Sequence, residues 1–219
     1  MTSGIATTRH ESVLAMNGRY SARRMWWAVV ALFTLAGPAW ALDLPELMGL
    51  LAQRRSGEAR FSEERFVSGL DRSLVSSGTL SFSAPDSFTR RTLQPRAESM
   101  IVEGQKVTLE RSGRVRQVNL DAIPEMAAIV TALRGTLTGD AAALRQYFRP
   151  TVSGSAAAWS ITLAPLENRL LEAVKQLRID GEQADVRVVE ILLGDGDRSV
   201  MAIEPLPAGA AGKPRTTPP

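Results

Sequence analysis

Between Gly78 and Gly104 the chain reads GTLSFSAPDSFTRRTLQPRAESMIVEG, with large apolar residues set in short alternating runs bounded by turn residues. The pattern predicts three strands: Gly78 to Ser83 with Leu80 and Phe82 on one face, Phe88 to Leu93, and Ser99 to Val102. Pro85-Asp86 and Gln94-Pro95 reverse the chain, because proline fixes φ and donates nothing to a ladder, and Glu103-Gly104 closes the third strand. The product is an antiparallel meander. Leu80, Phe82, Phe88, Leu93, Met100 and Val102 give it an apolar surface that needs a cover, either helices or a bound apolar molecule.

The same reading extends along the chain. Asp43, Pro45 and Glu46 have the spacing of a helix start, with Leu44, Leu47, Met48 and Leu51 as the apolar face. Ala59 to Val67 reads as a strand whose Phe61 and Phe66 fall on opposite faces, which predicts a bulge or bend. Lys106 to Arg111 and Arg114 to Leu120 form a hairpin around Ser112-Gly113. The period then changes. Met126, Ile129, Val130 and Leu133 predict an amphipathic helix from Pro124, stopped at Gly135, and a shorter one follows from Asp140 to Phe148. Trp159, Ile161 and Leu163 alternate with Ser160 and Thr162 as a half-buried strand. Pro165 to Glu172 is irregular or a single helical turn, and strands Val174 to Asp180, Val186 to Leu193 and Ser199 to Glu204 complete the sheet. Residues 206–219, rich in Pro, Gly and Ala, are expected to be disordered.

Upstream of all this, Arg19, Arg23 and Arg24 precede the apolar run Met25 to Ala36 and the small-residue site Ala39-Trp40-Ala41, the layout of a secretory signal peptide over residues 1–41. The apolar run is shorter than the roughly 20 residues of a spanning helix, which favours cleavage after Ala41 over a membrane anchor. The reading places the protein in an exported compartment, and no cysteine follows the site to carry a lipid. It also changes the charge. Of 26 basic and 23 acidic residues, four and one lie before Leu42, leaving 22 of each. A neutral body gives no support for nucleic-acid binding. His10, the chain's one histidine, also lies in the leader, and there is no cysteine. Ser-His and Cys-His nucleophilic sites, zinc sites built on those ligands and disulfides are thereby excluded from the mature chain. One packed domain over residues 42–205 must hold itself together.

Other candidate chemistry is thin. Gly194-Asp195-Gly196-Asp197 has the acidic alternation of a calcium loop but lacks the distal glutamate, so it reads as a hairpin turn and no metal site is expected. Glu63-Glu64, and Glu103 with Glu110, read as solvated strand faces rather than a catalytic carboxylate pair. No catalytic residue and no cofactor are expected. Leu80, Phe82 and Phe88 suit either a filled core or the wall of a cavity.

The run Gly78-x-Leu80-x-Phe82, then Pro85-x-x-Phe88, then Gln94-Pro95, then a hydrophobic strand closing at Gly104 resembles the periplasmic outer-membrane lipoprotein carrier family (LolA-like). The resemblance extends from about Phe61, where Phe61-Ser62-Glu63 is a loose version of the family's F-x-Q strand, to about Pro205. It implies an α+β, mainly β fold: a curved, incompletely closed antiparallel sheet, or half-barrel, covered by helices around an apolar cavity. It further implies a monomeric, non-enzymatic periplasmic carrier that takes the acyl chains of a lipoprotein or other lipid toward the outer membrane, between an inner-membrane donor complex and an outer-membrane acceptor. The lipid-contacting residues would be Leu80, Phe82, Phe88, Leu93, Met100 and Val102 of the meander, Met126, Ile129 and Leu133 of a movable lid helix, and Trp159. The rival reading is a periplasmic structural or adaptor protein with a dry core that binds protein partners through a sheet edge. One departure stands out. The family carries an arginine before the proline of P-x-x-F that closes the lid by bonding its backbone carbonyls; here Ala84 occupies the position, which implies a specialised relative with another lipid cargo and a lid held by apolar contacts alone.

Overall fold

The computed structural model describes residues 42–207. The predicted leader with its cleavage point, and the tail from residue 208, lie outside the described residues. The strands are β1 (Ser56–Phe66), β2 (Leu74–Ser83), β3 (Ser87–Gln94), β4 (Glu98–Glu103), β5 (Lys106–Arg111), β6 (Arg114–Asn119), β7 (Phe148–Ser155), β8 (Ala158–Pro165), β9 (Val174–Glu182), β10 (Asp185–Leu193) and β11 (Arg198–Pro205). The helices are α1 (Leu44–Leu51), α2 (Pro124–Thr138), α3 (Ala141–Tyr147) and α4 (Asn168–Ala173), with a 3₁₀ turn at Leu120–Ala122. All eleven strands join in one antiparallel sheet in the order β6-β5-β4-β3-β2-β1-β11-β10-β9-β8-β7. It is not closed, since β6 and β7 are its edges.

The helices start and stop for local reasons. In α1 the Asp43 carboxylate accepts from Glu46 N at 2.8 Å while Asp43 N donates to Glu46 Oε2 at 3.2 Å, a reciprocal cap that satisfies two otherwise orphaned donors. Asp140 caps α3, accepting from Ala142 N at 2.9 Å and Ala143 N at 3.0 Å. The long α2 runs past Gly135, where a stop was expected, and ends at Gly139 in the left-handed region at φ 71°. Gly135 stays helical because α3 crosses there: a Cβ would stand 3.1 Å from Ala143 Cβ and from Asp140 O. Its role is close packing.

These helices cover one half of the sheet. Leu47 and Leu51 of α1, Ala128 and Ala132 of α2 and Leu144 of α3 are buried with Ile161, Leu163, Leu177 and Ile179 of β8 and β9 in the main core. A second core joins Val102, Val107 and Leu120 to Ala127 of α2, and a third, of Ala59, Phe61 and Leu80, lies on β1 and β2. The helix therefore touches two packed regions and spans the ground between them.

Two expectations change, on β1 and at the end of the sheet. β1 is regular along its pairings with β2 and β11, with no bulge; Phe61 faces the core, and Phe66 faces outward, 42% exposed, beneath the Arg198 guanidinium. The one-residue shift lies instead at Ser77/Gly78 between β2 and β3. The stretch Pro165 to Glu172, read as irregular or a single helical turn, takes the helical alternative in the short α4. The Gly194 to Asp197 segment is the expected turn, with Leu193 N donating to Asp197 O at 2.8 Å. Beyond β11, Leu206 N donates to Glu58 O at 2.8 Å, so order continues past the expected boundary at Pro205.

Trp159 is buried and its indole N–H donates to Gln183 O at 2.9 Å, with the ring lying where a Cβ on Gly181 would overlap it. Gly181→Ala is expected to cost about 1–3 kcal/mol by overpacking. Because Trp159 is the one tryptophan after residue 41, its fluorescence in urea titrations of protein produced from Leu42 onward reads both the lost stability and the altered ring environment.

Candidate functional site

Along a strand every second residue faces the same way. The faces of β1, β2, β3, β10 and β11 turned toward α2 carry Ala59, Leu80, Phe82, Phe88, Ile191, Met201 and Ile203, opposite Met126, Ile129, Val130 and Leu133 of the helix. These side chains enclose a chamber of about 500 Å³ that is overwhelmingly apolar in lining, within the size range of small-ligand sites.

Seven of the ten residues expected at a lipid site line this chamber: Leu80, Phe82, Phe88, Met100, Met126, Ile129 and Leu133. Three do not. Leu93 stands five residues from Phe88 in the same strand, so it points to the opposite face and is 62% exposed. Val102 faces inward but is covered completely by Val107, Leu120 and Ala127, making it core rather than wall. Trp159 belongs to the main core.

The wall also includes residues that the hydrophobic pattern did not single out. Val189 and Ile191 of β10 and Met201 and Ile203 of β11 contribute much of it. Their strands read VVEILL and SVMAI, where apolar residues occupy both faces and alternation does not say which one turns inward. Glu63 corrects the solvated-face reading: its side chain is 15% exposed and lies in the chamber wall. Arg90 Nη2 and Ser76 Oγ donate to its Oε2, and Ser199 Oγ donates to Oε1 at 2.6 Å. Burial alone would raise the Glu63 pKa; the Ser199 hydrogen bond, the Arg90 charge and the Arg90 and Ser76 hydrogen bonds outweigh it and hold the carboxyl below the ordinary glutamate range. Arg90 thus serves Glu63.

At the other end, along Arg54, Gly57, Phe82 and Asp185, the chamber adjoins a polar vestibule of about 1050 Å³. Arg54, Arg55 and Arg187 line it together with Glu58 and Asp185. Arg54 Nη2 lies 2.6 Å from Asp185 Oδ1 at the junction, and Arg187 Nη2 lies 3.5 Å from Glu182.

The expectation of a lid held by apolar contacts alone is overturned. Arg134 of α2 donates through Nη2 to Gly104 O at 2.7 Å, joining the helix to the β4–β5 turn. Ala84 cannot donate with its side chain, but a donor on the helix and an acceptor on the sheet make a bond of the same kind.

The site is thus an open antiparallel sheet with an apolar chamber roofed by a helix. Residues 36–215 match the family model for outer membrane lipoprotein carrier protein LolA-like, and the chain belongs to that family. No curated protein matches it. Among solved structures, a LolA superfamily protein from Nitrosomonas europaea is similar at 8% identity, with 79% of this chain and 99% of that one covered and a TM-score of 0.41. A DUF1329 family protein from Desulfovibrio piger is similar at 9% identity, covering 74% and 89% with a TM-score of 0.43. A chain of the MucA/MucB complex of Pseudomonas aeruginosa is similar at 13% identity, covering 77% and 60% with a TM-score of 0.38.

A charged donor on a carbonyl contributes about 1.5–3 kcal/mol. Arg134→Met, which keeps the aliphatic stem, is expected to raise the open population of α2 about tenfold or more. Hydrogen exchange should quicken in α2 and the β4–β5 turn while β8 and β9 keep their protection; unchanged exchange in α2 would show that the bond does not restrain it.

Proposed function

We propose that this protein is a non-enzymatic periplasmic carrier that shelters the acyl chains of a lipoprotein or another lipid during passage toward the outer membrane. The observation that carries the reading is the apolar chamber of about 500 Å³ between the sheet and α2. A chain leaving a bilayer exposes methylene groups to water at about 0.8 kcal/mol each. A chamber walled by Leu80, Phe82, Phe88, Ile191 and Met201 offers them an equivalent apolar surface. Membership of the carrier family supports the same reading, as does the bonding of α2 to the sheet at Arg134, a contact that can open to admit cargo.

The adaptor reading, with protein partners adding to a sheet edge, is less well supported. Edge strand β6 carries Arg114 and Arg116, and edge strand β7 carries Pro150, all features that discourage strand addition. The donor and acceptor complexes implied by the family remain part of the proposal.

The test is displacement of a fluorescent fatty acid together with mass spectrometry of lipids that copurify with protein taken from its native periplasm. Wild type should retain lipid. Ile129→Asp, which places an unpaired charge in the chamber roof, should weaken displacement affinity at least tenfold, whereas Thr79→Asp on the opposite face of β2 should leave it unchanged. Equal affinity in the two variants, both folded by circular dichroism, would contradict the carrier reading.

A further inference from the structure

A chamber made only for hydrocarbon has no use for an ion pair, because burying two charges costs more than an apolar pair of the same size. Yet Glu63 and Arg90 sit in the wall together, keeping 15% and 26% of their side-chain surface exposed. The Arg90 guanidinium lies over the Phe61 ring, 4.7 Å from its centroid, which fixes its plane. Its Nε is buried and meets no acceptor. The Ser76 and Ser199 hydroxyls are turned to the Glu63 carboxylate.

The position of this cluster along the chamber matters as much as its chemistry. Glu63 stands six residues along β1 from Gly57, where the polar vestibule begins, a separation of about 20 Å in extended chain. The stretch between is walled by Ala59, Leu80, Phe82, Met201 and Ile203. Polar recognition is therefore available at both ends of an apolar passage. At the vestibule three guanidinium groups, Arg54, Arg55 and Arg187, stand against two carboxylates, Glu58 and Asp185, so the lining keeps a positive balance that suits a headgroup bearing negative charge even with Arg54 paired to Asp185. At the far end the charges already compensate, which disfavours a second ion. Glu63 can only accept and Arg90 can only donate, and a neutral hydroxyl does both.

We propose that the cargo is an elongated amphiphile whose headgroup rests in the vestibule and whose chain carries a hydroxyl about 20 Å away, donating to Glu63 and accepting from Arg90. This rests on the carrier reading and narrows it from acyl chains in general to oxygenated ones. The cluster then acts as a selectivity element, since a plain methyl terminus adds no hydrogen bond to it while displacing whatever solvent served it.

The experiment compares palmitic acid with ω-hydroxypalmitic acid as displacers of a fluorescent fatty acid from the wild-type protein. The hydroxylated acid should displace at a concentration tenfold lower or less. In the double variant Glu63→Leu/Arg90→Leu, which removes both charges together and leaves neither unpaired, the preference should vanish or reverse. The wild-type ratio is read without any substitution and does not depend on the variant folding. Equal displacement by the two acids, a preference for palmitic acid, or a preference that survives in the folded double variant would overturn the proposal while leaving the carrier reading intact. Displacement by neither acid would overturn both.

Discussion

The docking of α2 through its small residues decides where empty space lies in this molecule. Ala128 and Ala132 are fully buried against α1, α3 and the β8–β9 face, so the helix axis is held close to that half of the sheet. Close approach is possible because neither residue carries more than a methyl group, and the glycines at 135 and 139 remove the remaining obstruction where the three helices meet. Once one face of the helix is fixed, the neighbouring face with Met126, Ile129 and Leu133 stands over β1, β2, β10 and β11 with the chamber between. Protein interiors ordinarily fill such gaps. Here the main core supplies the stability and the gap stays open, a cost in packing that a bound apolar chain would return.

Three electrostatic features give this chamber its ends. Arg134 bonds the roof to the β4–β5 turn. The Arg54–Asp185 pair stands where the chamber meets the vestibule. The Glu63–Arg90 pair lies deep in the wall, where low polarity strengthens it and makes any unpaired group costly. The rest of the passage is hydrocarbon. A near-neutral body over residues 42–219 fits the proposed carrier, in which recognition would depend on a few placed groups and not on a field over the whole surface.

Much of the fold was legible because it rests on local chemistry. The capping pair of Asp43 and Glu46, the Ser112-Gly113 turn and the alternation of Trp159, Ile161 and Leu163 each announce an element by themselves. The meander from Gly78 to Gly104 carried both its strands and its family likeness. What periodicity could not convey was depth. Val102 and Met100 read alike as strand residues, yet one is sealed by Leu120 and Ala127 while the other borders the chamber. Leu93 was misplaced by treating all large residues of a meander as one surface, when its position in β3 puts it on the other face. Glu63 was missed for the opposite reason: a glutamate in a strand ordinarily faces water, and its partners Arg90 and Ser199 lie 27 and 136 positions away. The hydrogen bond from Arg134 was equally hidden, because it joins a helix to a turn 30 residues earlier in the chain.

The central claim is that an acyl chain lies between α2 and the sheet. A fatty acid carrying a photoreactive diazirine along its chain, activated after binding to the purified protein and located by peptide mass spectrometry, tests it most directly. The account predicts label on the α2 peptide containing Ile129 and Leu133 and on the β10 and β11 peptides containing Ile191 and Met201. Label confined to outward-facing residues such as Leu93 and Val115, with none on α2, would contradict it.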